Sequence, residues 1–146
     1  MDFMPYKFLE DLSIADAAFE ATGATLKEVF ESSALATTNT MIRNLEAIEQ
    51  KVSKKINVES DTVEMLLFNF LQELVFYKDA EQLVFSKFEI DMAPKGKKWK
   101  LSSVAWGEKL DMNKHQWVVD VKAVTLHQFE LKETKDGWRA QVVLDI

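Results

Sequence analysis

The segment between Asp61 and Asp79 constrains the fold more than any other part of the chain. Its apolar residues recur at helical spacing of i, i+3, i+4 and i+7, and they are Val63, Leu66, Leu67, Phe70, Leu71, Leu74 and Val75. Asp61 and Glu64 lie at the beginning of this predicted helix, where acidic side chains are favourable. A helix with one apolar face needs a second layer of structure to cover that face.

A second amphipathic helix is predicted earlier in the chain, over the stretch ATLKEVFESSALATTNTM. Thr25 and Glu28 have the spacing of a capping box, which marks a helix N-terminus. The apolar residues Leu26, Val29, Phe30, Ala34 and Met41 fall near one face of this helix. The chain therefore has two helices that each need an apolar partner surface.

The remaining segments have the composition of strands. KVSKKINVES predicts a strand with its lysines outward, and LVFSKFEIDM and KWKLSSVAWGE predict a hairpin around a Pro-Lys-Gly turn. QWVVDVKAVTLH is β-branched and predicts a long strand, followed by a strand in QFELKE. A turn at Asp136 and Gly137 then leads into the last strand, WRAQVVLDI.

The order of these elements predicts an α+β fold. A strand, a helix, a strand and a helix are followed by a run of strands, and residues 1–146 form a single domain. We expect the two main helices to pack on one face of a mainly antiparallel sheet that carries an extra β-hairpin.

Composition excludes several function classes. The net charge of −6 and the pI near 5.0 argue against a protein that binds nucleic acid through its own field. Since the chain has no cysteine, it has no disulfide, zinc–thiolate site or cysteine nucleophile. No signal peptide pattern and no apolar run of membrane-spanning length is present, which predicts a cytoplasmic protein without membrane association.

The common enzyme motifs are also absent. The sequence has no glycine-rich phosphate loop, dinucleotide fingerprint, nucleophile elbow or H-E-x-x-H helix. Its two histidines are His115 and His127. A hydroxyl–histidine–carboxylate triad would need partners that meet only in the fold, and we interpret both histidines as structural residues with satisfied hydrogen bonds.

A lysine-rich turn surrounds Trp99. Lys95, Lys97, Lys98 and Lys100 lie in the segment KGKKWK. Basic residues beside an aromatic ring can hold single-stranded nucleic acid by charge and stacking. On an acidic chain we favour the alternative, a solvated hairpin tip whose tryptophan packs inward.

The last strand ends on two neighbouring carboxyl groups. Trp138, Ala140, Val142 and Leu144 alternate along one face of this strand. Asp145 and the terminal carboxylate of Ile146 then follow directly. An oxygen-only set of this kind suits Ca²⁺, Mg²⁺ or Mn²⁺, provided that a neighbouring strand supplies further ligands.

Asp16 is the candidate for that second half of the site. It lies in SIADAAFEA, at the beginning of a stretch that reads as a buried strand. Without further information, Asp16 can equally be an aspartate at a strand end or in a turn that binds no metal. The two carboxyl groups at the end of the chain can equally be solvated surface groups.

Several segments together resemble the archease family. The similar stretches, in chain order, are FLEDLSIADAAFEATGATLKEVFESSA, VEMLLFNFLQELVFYKDAEQLVFSKFEI, GEKLDMNKH, VKAVTLH and DGWRAQVVLDI. The resemblance extends from Phe8 to Ile146 with similar spacing, and the ordered set is more specific than any one motif.

The resemblance implies an activator rather than a stand-alone enzyme. Archeases promote guanylylation and multiple turnover of the GTP-dependent tRNA-splicing RNA ligase, so tRNA would be reached indirectly through the ligase. The family's metal ligands correspond to Asp16, Asp145 and Ile146. The implied cofactor is a divalent cation, with Ca²⁺ as the leading candidate and Mg²⁺ or Mn²⁺ as alternatives.

One segment departs from the family pattern. A histidine commonly precedes the first aspartate by three residues in the family, but Ser13 has this position here. The stretch between Phe8 and Asp16 is also two residues longer, so Asp11 is an alternative first ligand. The expected partner contacts are Lys95, Lys97, Lys98, His115, Lys122 and His127.

Two other functions compete with the activator. A small metal-dependent hydrolase could use Asp16 and Asp145 around an activated water, and it would turn over without a partner. A non-catalytic interaction module would carry the same carboxylates only as solvated surface.

Overall fold

Two antiparallel sheets and two long helices make up the fold in the computed structural model, which describes residues 5–9 and 16–146. In chain order the elements are β1 (Tyr6–Leu9), β2 (Asp16–Gly23), α1 (Leu26–Met41), a short 3₁₀ helix (Leu45–Ala47), β3 (Val52–Ser60), α2 (Val63–Glu81), β4 (Leu83–Lys95), β5 (Lys98–Lys109), β6 (Ala123–Val124), β7 (Glu130–Thr134) and β8 (Gly137–Asp145). The predicted α+β class is confirmed.

The strands divide between two sheets rather than forming one. The first sheet has the order β1-β2-β8-β6, and β7 also pairs with β8. The second contains β3, β5 and β4, so the predicted hairpin of β4 and β5 joins β3 instead of extending the first sheet. Both helices contact strands of both sheets, and α2 packs most extensively on β3. The core therefore lies between the helices and two sheets.

Both helices begin on a threonine. The Thr25 hydroxyl accepts the Glu28 N–H at 3.2 Å, and the Glu28 carboxylate accepts the Ala24 N–H at 2.7 Å, which confirms the predicted cap of α1. The cap of α2 is Thr62, which accepts the Met65 N–H at 3.2 Å. The predicted apolar face of α2 is buried from Leu66 to Val75, and Val63 is half-buried at its edge.

The prediction of one long strand over residues 116–127 is wrong. Only Ala123–Val124 pairs with β8. The Val118 N–H donates to the Met41 carbonyl at 2.7 Å, and the Lys78 ammonium donates to the Val121 carbonyl at 2.7 Å. Because this segment crosses from the end of α1 past α2 to β8, successive backbone groups meet different partners, and β propensity cannot distinguish this path from a strand.

The turn before the last strand is confirmed, but the hairpin turn is formed by Gly96 and Lys97 rather than by Pro94–Gly96, because Pro94 and Lys95 still pair with β5. Gly96 has a φ of +63° between β4 and β5, and Gly137 has a φ of +147° as the first residue of β8. Trp99 is half-buried against the core, which agrees with the inward-packed tryptophan. On β3, Lys55 is exposed as predicted, but Lys54 is half-buried beside the ring of Tyr77, 5.8 Å from its centroid. No helix among the described residues is long and apolar enough to span a membrane.

Candidate metal centre and adjoining cleft

Asp16 and Asp145 lie directly opposite each other. They are the first residue of β2 and the last residue of β8, and they are paired in the antiparallel register of these two central strands. Side chains of directly opposed residues project from the same face of a sheet, with their Cβ atoms about 5 Å apart. The structure thus brings together two carboxyl groups that are 129 residues apart in sequence.

The end of β8 is fixed on both sides. Asp145 is opposite Asp16 of β2 and opposite Ala123 of β6, and its carbonyl accepts the Lys122 N–H at 2.8 Å. The terminal carboxylate of Ile146 follows immediately, and Ile146 packs against the core. Three carboxyl groups are therefore held at one corner of the sheet, where like charges directly opposite each other are destabilising.

The donor set at this corner suits a hard divalent cation. Within residues 5–9 and 16–146 no three His, Cys, Asp or Glu side chains cluster as a metal site, so the corner offers two aspartates and the terminal carboxylate. Carboxylate oxygens are the ligands that Ca²⁺, Mg²⁺ and Mn²⁺ prefer, and water or a partner commonly supplies the others. The alternative ligand Asp11, like Ser13, lies outside the described residues.

A cleft of about 470 Å³ opens beside this corner. Asp16 and Ile146 line one side of it, and the end of α1 lines another. The remaining lining residues are Phe8, Leu9, Ala17, Ala18, Asn39, Thr40, Arg43, Val118 and Val119. Most of the lining is apolar, and Arg43 is its basic residue.

Backbone hydrogen bonds fix Arg43 at the cleft. The Asn39 amide donates to the carbonyls of Ile42 and Arg43, at 2.9 and 3.1 Å. The Arg43 N–H donates to the Gln116 carbonyl at 2.9 Å. Sequence analysis missed this residue, although it is the only basic residue between Lys27 and Lys51.

Buried Glu108 is the centre of a polar network that holds the next loop. One of its carboxylate oxygens accepts the Glu49 N–H at 2.7 Å and contacts the Lys114 ammonium at 2.8 Å. Burial alone would raise the pKa of Glu108, but hydrogen bonds from Lys114, the Glu49 backbone and His115 outweigh it and lower this pKa to about 2. Glu108 is therefore ionised at neutral pH.

His115 completes this network from the interior. Its Nδ1 accepts the Asp111 N–H at 2.9 Å, which places the ring proton on Nε2, 3.0 Å from the Glu108 carboxylate. The residue is 2% exposed, so its side chain offers no surface to a partner and agrees with the structural interpretation. The Gln116 N–H donates to the Asn44 side chain at 2.8 Å, which ties this loop to the residue after Arg43.

The other expected partner contacts are exposed but dispersed. Lys95, Lys97 and Lys98 lie at the tip of the β4–β5 hairpin in the three-stranded sheet, and Lys95 pairs with Glu59 at 3.0 Å. Exposed Lys122 and His127 flank β6, in the sheet that carries Asp16 and Asp145. The structure thus places Lys122 beside the carboxylate corner and the hairpin lysines in the other sheet.

Residues 6–146 match the model of the Archease protein family (MTH1598/TM1083). The chain belongs to the archease family. The match includes the carboxylate corner, the cleft and the loop around Glu108, so all three are parts of an archease domain. The family assignment suggested by the sequence motifs is confirmed.

Relatives and solved structures agree with this assignment. The chain is 41% identical to a "Protein archease" of Pyrococcus furiosus over 133 residues, covering 90% of this chain and 93% of the relative. It is 37% identical to one of Methanosarcina acetivorans, covering 97% and 95%. The solution structure of Methanobacterium thermoautotrophicum protein 1598 matches with a TM-score of 0.86 at 33% identity, covering 99% of this chain and 100% of the other.

A more distant structure supports the fold alone. The crystal structure of an archease from Thermotoga maritima, described as a possible chaperone, matches with a TM-score of 0.59 at 18% identity. That match covers 92% of this chain and 93% of the other.

Proposed function

We propose that this chain activates a tRNA-splicing RNA ligase, promoting guanylylation and multiple turnover of the ligase, as the archease resemblance implies. The observation that supports the proposal best is the direct opposition of Asp16 and Asp145 beside the terminal carboxylate of Ile146. Carboxylate oxygens brought together in this way form a ligand set that suits a hard divalent cation.

The proposed cofactor is a divalent cation, with Ca²⁺ as the leading candidate. Asp16 and Asp145 would bind it with their side chains, and Ile146 would bind it with its terminal carboxylate. A bound cation would supply positive charge at the surface and would neutralise the repulsion between these groups. The chain's own contribution is to hold the three carboxyl groups in position through the β2–β8 register.

His115 and Glu108 have structural roles that leave neither residue available as a catalytic acid or base. His115 is buried, and both of its ring nitrogens have internal hydrogen-bond partners. The Glu108 carboxylate accepts several hydrogen bonds within the fold, and its low pKa makes it a poor proton carrier near neutral pH. His115 and Glu108 therefore stabilise the fold, and we assign the proposed chemistry to the ligase.

Single-turnover guanylylation of the cognate ligase tests this function. We expect wild-type protein to accelerate the reaction and Asp16→Asn or Asp145→Asn to reduce the acceleration by at least about tenfold, as losses of metal-site residues commonly do. Asp91→Asn is the matched control. This substitution removes the same charge, but from a β4 side chain that is 92% exposed and lies outside the carboxylate corner.

No acceleration by wild-type protein with a confirmed cognate ligase would contradict the activator function. Hydrolysis without any ligase, abolished by Asp145→Asn, would establish the hydrolase instead. Equal acceleration by wild type and both site variants would remove the carboxylate corner from the mechanism.

Calcium is expected to raise the melting temperature of the wild-type protein. A ligand that binds only the native state at 100 times its Kd contributes about 2.7 kcal/mol, which corresponds to roughly 8 °C for a domain of this size. Asp145→Asn should lose this shift, because one of the assigned ligands is gone. Equal calcium shifts in wild type and Asp145→Asn, measured by calorimetry, would refute the assigned ligand.

A further inference from the structure

The two arginines of the chain are used in different ways. Arg139 pairs with Glu130 at 2.8 Å and with Glu20 at 3.1 Å, so its guanidinium is committed to the fold. Arg43 is exposed, and within the described part of the chain its guanidinium has no ion-pair partner. Its backbone is nevertheless fixed by Asn39 and Gln116. A positioned arginine that makes no ion pair with the described residues is suited to bind a carboxylate or phosphate of another molecule.

The walls next to Arg43 favour a protein ligand. Phe8 is 48% exposed and Val118 is 43% exposed, and both line the cleft together with Leu9 and Val119. An arginine beside exposed aromatic and aliphatic side chains has the composition of a protein-interface hot spot. A cleft of about 470 Å³ accommodates a few side chains of a partner segment rather than a whole domain face.

The charges around the cleft argue against a polyphosphate. Helix α1 directs its C-terminal end towards the cleft through Thr40, and this end of a helix carries partial negative charge. One guanidinium can balance a single carboxylate at the rim, whereas several phosphate charges would also face this negative end of the helix.

We propose that this cleft binds an acidic side chain of a partner protein, with Arg43 pairing to its carboxylate and the apolar wall holding its apolar neighbours in sequence. The identity of the partner as the RNA ligase rests on the proposed function. The site differs from the metal centre in its chemistry, because Arg43 binds the anion directly and the carboxylate corner binds a cation.

Binding of the purified cognate ligase to the full chain tests the proposal. Arg43→Ala should raise Kd roughly 30-fold, since truncating one member of an interfacial charge pair is costly. Arg43→Lys should restore only part of the affinity, because lysine keeps the charge but loses the two-pronged geometry. Lys55→Ala is the matched control, since Lys55 is an exposed cation on β3, outside the cleft, and this variant should bind as wild type.

A site-directed cross-link identifies the occupant. Because the chain has no cysteine, Val118→Cys places a unique thiol on the exposed cleft wall, where it can carry a photoreactive group while Arg43 stays in place. The proposal expects the cross-link to map to a ligase segment with an Asp or Glu flanked by apolar residues. Reversing that acidic residue to lysine in the ligase should restore binding to Arg43→Glu by about tenfold or more, a coupling that only paired charges produce.

The outcomes separate this inference from the proposed function. If wild type accelerates guanylylation but Arg43→Ala and Lys55→Ala bind the ligase equally well, the inference is wrong and the activator function stands. If wild type neither binds nor accelerates the ligase, the proposed function fails and the ligase is excluded as occupant. Cross-links to RNA, or to a ligase segment without acidic residues, would also overturn the inference.

Discussion

Replacement of Glu108 by glutamine is expected to lower the free energy of unfolding by about 3 kcal/mol near neutral pH. The side chain is 5% exposed, and its carboxylate accepts the Glu49 N–H, contacts Lys114 and pairs with His115. Glutamine keeps the shape but removes the charge, and it brings a donor amide opposite groups that are themselves donors. Chemical denaturation at pH 7 measures the difference.

The same substitution should change the acid stability of the protein in a defined pH range. The pKa of Glu108 is about 2 in the folded chain, below its ordinary value of 4.5, because hydrogen bonds outweigh the effect of burial. Its ionised form therefore stabilises the fold above pH 4.5, and this stabilisation is lost as the pH falls from 4.5 to about 2. The stability difference between wild type and Glu108→Gln should be constant above pH 5 and shrink over that range.

Glu49→Gln provides the control for this prediction. Glu49 is an exposed carboxylate of the same network and contacts both Lys51 and Lys114. Since an exposed ion pair contributes little, we expect this variant to unfold close to wild type. If Glu108→Gln also matches wild type at pH 7, the network does not hold the loop and the interpretation of the pKa is wrong.

Loss of the Glu108 network should also change the position of residues that line the cleft. His115 is followed by Gln116, whose carbonyl binds the Arg43 N–H, and by Val118, which binds the end of α1. The network therefore positions both the basic residue and one apolar wall of the cleft. Within GEKLDMNKH, Glu108 and His115 are buried in the fold, whereas Asp111, Met112 and Asn113 are exposed.

The elements that the sequence predicted well are those determined by local rules. Helix α2 follows from its apolar period, the beginning of α1 from Thr25 and Glu28, and the last turn from Gly137. These signals act within a few residues, so they do not depend on the rest of the fold.

The features that were missed depend on contacts between distant segments. The segment 116–127 has strand-like composition, but Met41 and Lys78 bind its backbone from two helices. In the sequence, Arg43 is distinguished only by the lack of other basic residues near it. Its position matters because several elements form a cleft around it. The opposition of Asp16 and Asp145 could be anticipated as a need for a neighbouring strand, but only the β2–β8 register specifies it.

Gly107→Ala is expected to destabilise the protein by roughly 3 kcal/mol, the upper part of the range for an overpacked interior site. A Cβ atom at this position would lie 1.8 Å from the Val84 carbonyl oxygen and 2.8 Å from the Phe85 Cα. Both atoms belong to the backbone, so β4 would have to move at the bulge where its register with β5 shifts.

Gly96→Ala separates steric contact from backbone conformation in this prediction. At Gly96 a Cβ atom meets nothing within 4 Å, but its φ of +63° disfavours alanine, so we expect a cost of about 1 kcal/mol. Gly107 does not have a positive φ, so its larger cost would come from the contact with Val84. Equal melting temperatures for the two variants would contradict this close approach of β4 and β5.

A larger loss of stability in Gly107→Ala, together with a weakened pH dependence of stability below pH 4.5, would show that the bulge also positions the neighbouring carboxylate of Glu108.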